Sequence, residues 1–245
     1  MLNAFLWGLF ASSSLILGGV IASRFCLSTK TIGMILGFGS GTLISAVAYE
    51  LVFESIKMAR MTGFPALGFF TGASTFFFAD RLIERFGAGD RMSPEKSQQS
   101  RLMMPMVLAI ILDGIPESLV IGLGLYEKGF ISLALLVAVF ISNLPESISG
   151  STGMKASGWS GKKIILLWLG ISLVCAVSTV LGFSLFRGVD VRWLAFTLSF
   201  AGGAILMMIA NSMIPEAYEH AGKLAGVFTM LGFFVAVSFI VFENP

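Results

Sequence analysis

Apolar residues fill this chain in long blocks, each closed by a short polar or glycine-containing break. The blocks run over about 3–23, 32–54, 63–80, 102–126, 129–153, 164–186, 193–217 and 224–242. Each is close to the roughly 20 residues an α-helix needs to cross a bilayer. In lipid every backbone N–H and C=O must be satisfied within its own segment, so blocks of this length predict helices. The pattern therefore predicts an all-α polytopic membrane protein with eight spans. The breaks are short except for "ERFGAGDRMSPEKSQQSR" at 84–101, whose polar residues, Gly and Pro read as a flexible loop.

Composition supports that class. The chain has 245 residues, 56% hydrophobic and 12% charged, with mean hydropathy +0.90. A soluble domain carries about 25% charged residues, and no soluble domain is left over here. The net charge of +2 is too small to argue for a nucleic-acid partner. Two cysteines, Cys26 and Cys175, make no disulfide framework. The first block lacks a basic leader and a small-residue cleavage site, so it reads as a span.

The basic residues are unevenly shared between the two sets of connections. One set carries Arg24, Lys30, Arg81, Arg85, Arg91, Lys96, Arg101, Lys155, Lys162, Lys163 and Lys223. The other carries Lys57, Arg60, Lys128, Arg187 and Arg192. Cytoplasmic loops are enriched in Lys and Arg, so the first set is expected in the cytoplasm and both termini outside. The expected location is the plasma (inner) membrane.

Two internal echoes organise the blocks. "GFGSGTLISAVAYELVFESIKMA" (37–59) aligns without gaps to "SFAGGAILMMIANSMIPEAYEHA" (199–221), matching Phe38 to Phe200, Gly41 to Gly203, Ala48 to Ala210 and Glu54 to Glu216. "GFFTGAS" (68–74) echoes "GFFVAVS" (232–238). Spans 1–3 thus resemble spans 6–8. An odd number of spans lies before span 6, so the second copy enters from the other side, as in the inverted repeats of secondary transporters. The expected organisation is one transmembrane domain: a repeat over about 1–83, the loop at 84–101, a central helix pair over about 102–155 and a second repeat over about 160–245.

The second echo carries the chemistry. "DGIPES" (113–118) and "SNLPES" (142–147) lie on consecutive spans that run antiparallel, so the two motifs can face each other near mid-membrane. Asp113 and Glu117 are four residues apart and share a helix face, as do Ser142 and Glu146, with Asn143 three before Glu146. Pro116 and Pro145 each remove a helical N–H, which frees a carbonyl near Leu112 and near Ile141. Carboxylates, an amide, a hydroxyl and freed carbonyls together form an oxygen-rich cluster suited to a cation. All sixteen Lys and Arg residues lie in connections or at span ends, so no span centre offers a counter-ion. Unpaired acids in lipid are costly, and neutralisation by protons, water or a bound cation each describes an ion pathway. Glu50, Glu54, Glu216 and His220, at the ends of spans 2 and 7, are candidate entrance or exit positions.

The paired Pro-Glu motifs, the eight spans with both termini outside, the loop between spans 3 and 4 and "AGGAILMMIANSMIPEA" (201–217) together resemble the ZIP (Zrt/Irt-like) family of metal transporters. The resemblance spans essentially the whole chain. It implies uptake of a divalent metal such as zinc, iron or manganese through a site between spans 4 and 5. It also implies the ligands Asp113, Glu117, Ser142, Asn143 and Glu146. The family's pattern His-Asn-x-Pro-Glu-Gly reads here Asp113, Gly114, Ile115, Pro116, Glu117, Ser118 and then Ser142 to Ser147. The usual acid of span 6 is absent, with Cys175 near its place. Losing imidazole and gaining Asp113 makes the site more oxygen-rich, which suits manganese, magnesium or calcium better than zinc.

The expected partners are the ion, the bilayer and a second copy of the chain, with no nucleic acid and no prosthetic group. Two other readings stay open: a proton-coupled or other non-metal transporter, and a membrane protein that senses metal without moving it. An enzyme is not expected, because no nucleophile–base pair falls within a span; "GWSG" (158–161) lies in a connection.

Overall fold

The computed structural model describes residues 1–25, 27–60, 62–83, 85, 103–186 and 188–243. The side chains of 103–109, 113, 127, 128 and 243 lie outside that description. The expected flexible loop at 84–101 falls, apart from Arg85, outside the described residues.

Eight long helices form the described chain: α1 Leu2–Arg24, α2 Thr29–Met58, α3 Phe64–Ile83, α4 Met103–Lys128, α5 Leu133–Ala156, α6 Gly161–Leu185, α7 Val191–Ala221 and α8 Lys223–Glu243. Among the described residues, α1, α2, α5, α6, α7 and α8 are six helices long and apolar enough to cross a membrane. The other two pack in the same bundle, α3 against α7 and α4 against α6. Asp80 and Arg81 interrupt the apolar run in the last turn of α3.

Most of the helices overrun the apolar blocks, because capping chemistry fixes several of their ends. Ser28 Oγ accepts from Thr31 N at 3.1 Å, and Ser132 Oγ accepts from Leu135 N at 3.3 Å. Each satisfies one of the first-turn donors that a helix leaves open. Gly222, with φ 57°, turns the chain directly from α7 into α8, a conformation that glycine adopts without steric cost.

Two helices change pitch midway. Val47–Phe53 of α2 and Ile209–Met213 of α7 are π-helical turns. Their first residues, Val47 and Ile209, are aligned positions of the internal echo. Such wide turns inside α-helices occur often at functional sites.

The helices fall into two groups. In one, α1 packs on α5 and α6, and α4 packs on α6. In the other, α2 packs on α8 and on the end of α7, and α3 packs on α7. The contacts are close because small residues line them. A Cβ at Gly41 would overlap the Thr229 carbonyl of α8, and one at Gly203 would overlap the Phe69 carbonyl of α3. Between α1 and α6, Ser12 Oγ donates to Ser172 O at 3.2 Å while Ser172 Oγ donates to Ser12 O at 2.9 Å. The two groups meet where α2 crosses α5 and where α7 meets α4.

Helix ends pair in a consistent way. Phe64 and Trp193, at the starts of α3 and α7, stack edge to face at 5.3 Å, and Gly188 N donates to Tyr126 Oη at 3.4 Å. At the other end Lys155 Nζ donates to Ser23 O at 3.1 Å, and Gly33 packs against His220.

Candidate metal centre

Pro116 and Pro145 lie inside α4 and α5, and both helices run on through them. Each proline leaves one carbonyl four residues earlier without its helical donor. The Ile141 carbonyl faces α2, where a Cβ on Gly39 would stand 3.5 Å from it and 3.1 Å from Ser142 Cα. The missing side chain at Gly39 lets α2 lie against the part of α5 just before Pro145.

Around these prolines the structure gathers polar side chains in the core. Relative exposure is 1% for Glu117, 3% for Glu146, 4% for Asn143 and 0% for Ser142. Every Lys and Arg whose side chain is described is exposed. The described ion pairs, Lys57–Glu54 at 3.5 Å and Arg192–Asp190 at 3.1 Å, sit at helix ends. Glu117 and Glu146 are thus buried while the described Lys and Arg side chains are exposed. Ser142 Oγ donates to Val139 O at 3.0 Å, which leaves its oxygen lone pairs as acceptors.

Asp113 was expected as a ligand; its backbone lies in α4, but its side chain is outside the described residues. Among the described residues, no three His, Cys, Asp or Glu side chains gather around one point. The described donors are two carboxylates, an amide, a hydroxyl and helix carbonyls.

Cys175 of α6 reaches this cluster. Its Sγ stands 4.0 Å from the Gly114 carbonyl, with Ser118, Glu117 and Glu146 in its surroundings. Ser147 Oγ donates to Leu144 O at 2.9 Å and to Ser14 O at 3.4 Å, and Trp168 Nε1 donates to Ser151 Oγ at 2.7 Å. This serine lining of α5 carried no helical motif of its own; its signal was the run of serines at 142, 147, 149 and 151.

The candidate entrance and exit residues separate. Glu50 is buried on the π turn of α2 and lines a pocket of about 20 Å³ with Leu51, Val120, Ile121, Gly124, Ser132, Leu135 and Leu198. That volume holds about one water. Glu54 is half-buried and pairs with Lys57. Glu216 and His220 are half-buried near the end of α7, and His220 Nδ1 is buried there without a hydrogen-bond partner.

These features define a multi-pass, all-helical membrane protein with an acidic, oxygen-rich centre in its core. No family model matches the sequence. The chain is 23% identical over 227 residues to the zinc transporter ZIPB of Bordetella bronchiseptica, covering 87% of this chain and 72% of that protein. It is 23% identical over 198 residues to the Arabidopsis thaliana protein named "Putative zinc transporter At3g08650", covering 80% of this chain but 31% of the plant protein. The relatives that this chain resembles along most of its length thus carry zinc-transporter names.

Proposed function

We propose that the chain is a ZIP-like transporter that moves a divalent metal cation toward the cytoplasm through the acidic centre between α4 and α5. The observation that carries this reading is the burial of Glu117 and Glu146 one residue after a proline in two neighbouring helices, while every described Lys and Arg is exposed. Asp113, Glu117, Ser142, Asn143 and Glu146 would hold the ion. Cys175 stands at the edge of this set, and its sulfur adds a softer donor to an otherwise oxygen-based site. The names of the two relatives support a metal, with zinc as the first to test.

The 3+2+3 inverted plan belongs to this reading. It is supported by the placement of the two π turns and by the packing of α2 on α8 beside that of α3 on α7. Transport follows from the plan: one group of helices rocks against the other around a fixed site. Glu50 stands on one approach, and Glu216 with His220 on the other. The cytoplasmic side is the one bearing Lys155, Lys162 and Lys163.

The test is uptake of radioactive zinc into liposomes holding the full chain. Uptake that falls to background in the Glu117→Ala, Glu146→Ala double variant supports the reading. Uptake unchanged by that pair overturns it.

A further inference from the structure

The outer surface of α6 is not a plain apolar wall. A groove of about 590 Å³ runs along its seam with α4. Ile171 of α6 and Ile111 of α4 form its floor, and both pack in the core cluster that contains Cys175. Lys163, Leu166, Gly170 and Val174 follow one another at helical spacing, so they make a single stripe along α6. Gly170 keeps the groove open, since nothing lies within 4 Å of where its Cβ would stand. Trp159, in the connection just before α6, lines the groove as well.

Apolar surface on a membrane span is ordinarily covered by bulk lipid and needs no particular partner. Three features set this place apart. The first is charge. Lys163 is exposed and forms no ion pair among the described residues, whereas Lys155 donates to Ser23 O. No Asp or Glu stands among the described residues that line the groove. The second is depth. At a rise of about 1.5 Å per residue, Val174 lies about 16 Å below Lys163. That is close to the roughly 15 Å of hydrocarbon in one leaflet. The third is the indole. Trp is enriched at the headgroup level of membranes, and Trp159 stands beside the start of α6 at Gly161. The first-turn N–H groups of α6, which Ser160 does not cap with its side chain, lie at that level too. A cation and an indole above one leaflet's depth of apolar groove match a single phospholipid with an anionic headgroup. The face that bears them is the one proposed as cytoplasmic, and the cytoplasmic leaflet is the one rich in anionic lipid.

We infer that the groove binds one anionic phospholipid, with its phosphate at Lys163 and Trp159 and an acyl chain running past Gly170 to Val174. The chain covers the seam of α4 and α6 beside the contact between Gly114 and Cys175. The site goes beyond the transport reading, and its test uses no metal.

The test is contact quenching of Trp159 in phosphatidylcholine vesicles holding the full chain. Trp7→Phe and Trp193→Phe remove the two exposed indoles, and the fully buried Trp168 gives a constant background. Phosphatidylglycerol or phosphatidylcholine, brominated high on the chain, is then titrated into the vesicles. Half-quenching by phosphatidylglycerol is expected at a membrane fraction about fivefold lower than by phosphatidylcholine, the effect of one lysine on an anionic lipid. Lys163→Gln should bring the two lipids within twofold of each other. Lys162→Gln, which does not line the groove, should keep the preference. Gly170→Leu fills the groove and should weaken quenching by both lipids. Equal quenching by the two lipids before any of these changes overturns the site, leaving ordinary bulk lipid in the groove. So does an equal loss of preference in Lys162→Gln and Lys163→Gln, which would mean general surface attraction. Unchanged quenching in Gly170→Leu overturns the groove as the place of binding. Quenching by neither lipid also overturns the inference, because protein, such as a second copy of the chain, would then cover the groove.

Discussion

Glu117 and Glu146 are chemically ordinary carboxylates in an extraordinary place. A buried carboxylate must be neutralised, and its isosteric amide needs no neutralising. Glu117→Gln and Glu146→Gln are therefore expected to fold, to resist heat at least as well as wild type, and to lose zinc uptake by about tenfold or more, about 1.4 kcal/mol in the transport step. A thermal midpoint together with an uptake assay checks both halves. Gly114 and Cys175 make a second pair. A Cβ at position 114 would stand 3.0 Å from Cys175 Sγ, inside ordinary contact. Gly114→Asn is expected to cost about 1–3 kcal/mol of stability through overpacking, and adding Cys175→Ala should recover most of it. Additive losses in that cycle would mean that the two residues do not compete for the space. The Pro-Glu doublets were legible in the sequence because spacing alone puts carboxylate, kink and hydroxyl together. The meeting of Cys175 with Gly114 was not, since the two are 61 residues apart and only the packing of α6 on α4 joins them.

At the scale of elements, local chemistry decides where helices begin and small residues decide how closely they lie. Asp190 shows the first. Its Oδ1 accepts from Arg192 N at 2.8 Å and from Arg192 Nε at 3.1 Å, and the guanidinium and this cap hold its carboxyl below the usual carboxylate range. A carboxyl with a lowered folded pKa stabilises above its unfolded value and stops doing so as pH falls through the folded one. Amide exchange in the first turn of α7 should therefore rise, relative to other helix starts, on acidification below the ordinary aspartate range. Asp190→Asn should show a much weaker pH response. Gly41 and Gly203 show the second, since each faces a backbone carbonyl of the neighbouring helix. Gly41→Val and Gly203→Val should each cost about 1–3 kcal/mol or more, read as lost folded yield in detergent. Apolar block lengths gave the helices, and the echo paired Gly41 with Gly203. The π turns were hidden, because a wide turn persists through its tertiary surroundings and leaves no composition mark in "VAYELVF".

For the whole molecule, orientation follows from where the charges must stay. Paired helix ends divide the described connections into two sets: those after α2, α4 and α6 on one face, and those after α1, α5 and α7 on the other. Lys162, Lys163 and Lys155 cluster on the second face, and Arg60 stands exposed on the first. Moving a Lys or Arg through hydrocarbon costs several kcal/mol, and the proposed orientation puts the face richer in them in the cytoplasm. The prediction is directional. In intact cells a membrane-impermeant maleimide should label Arg60→Cys and leave Lys162→Cys untouched until the membrane is permeabilised. The reverse pattern would invert the molecule. Equal labelling of both in intact cells would mean a mixed population of orientations. Either way the two groups of helices keep their internal packing, because that packing depends on Gly-to-carbonyl contacts and buried serines rather than on which side faces water.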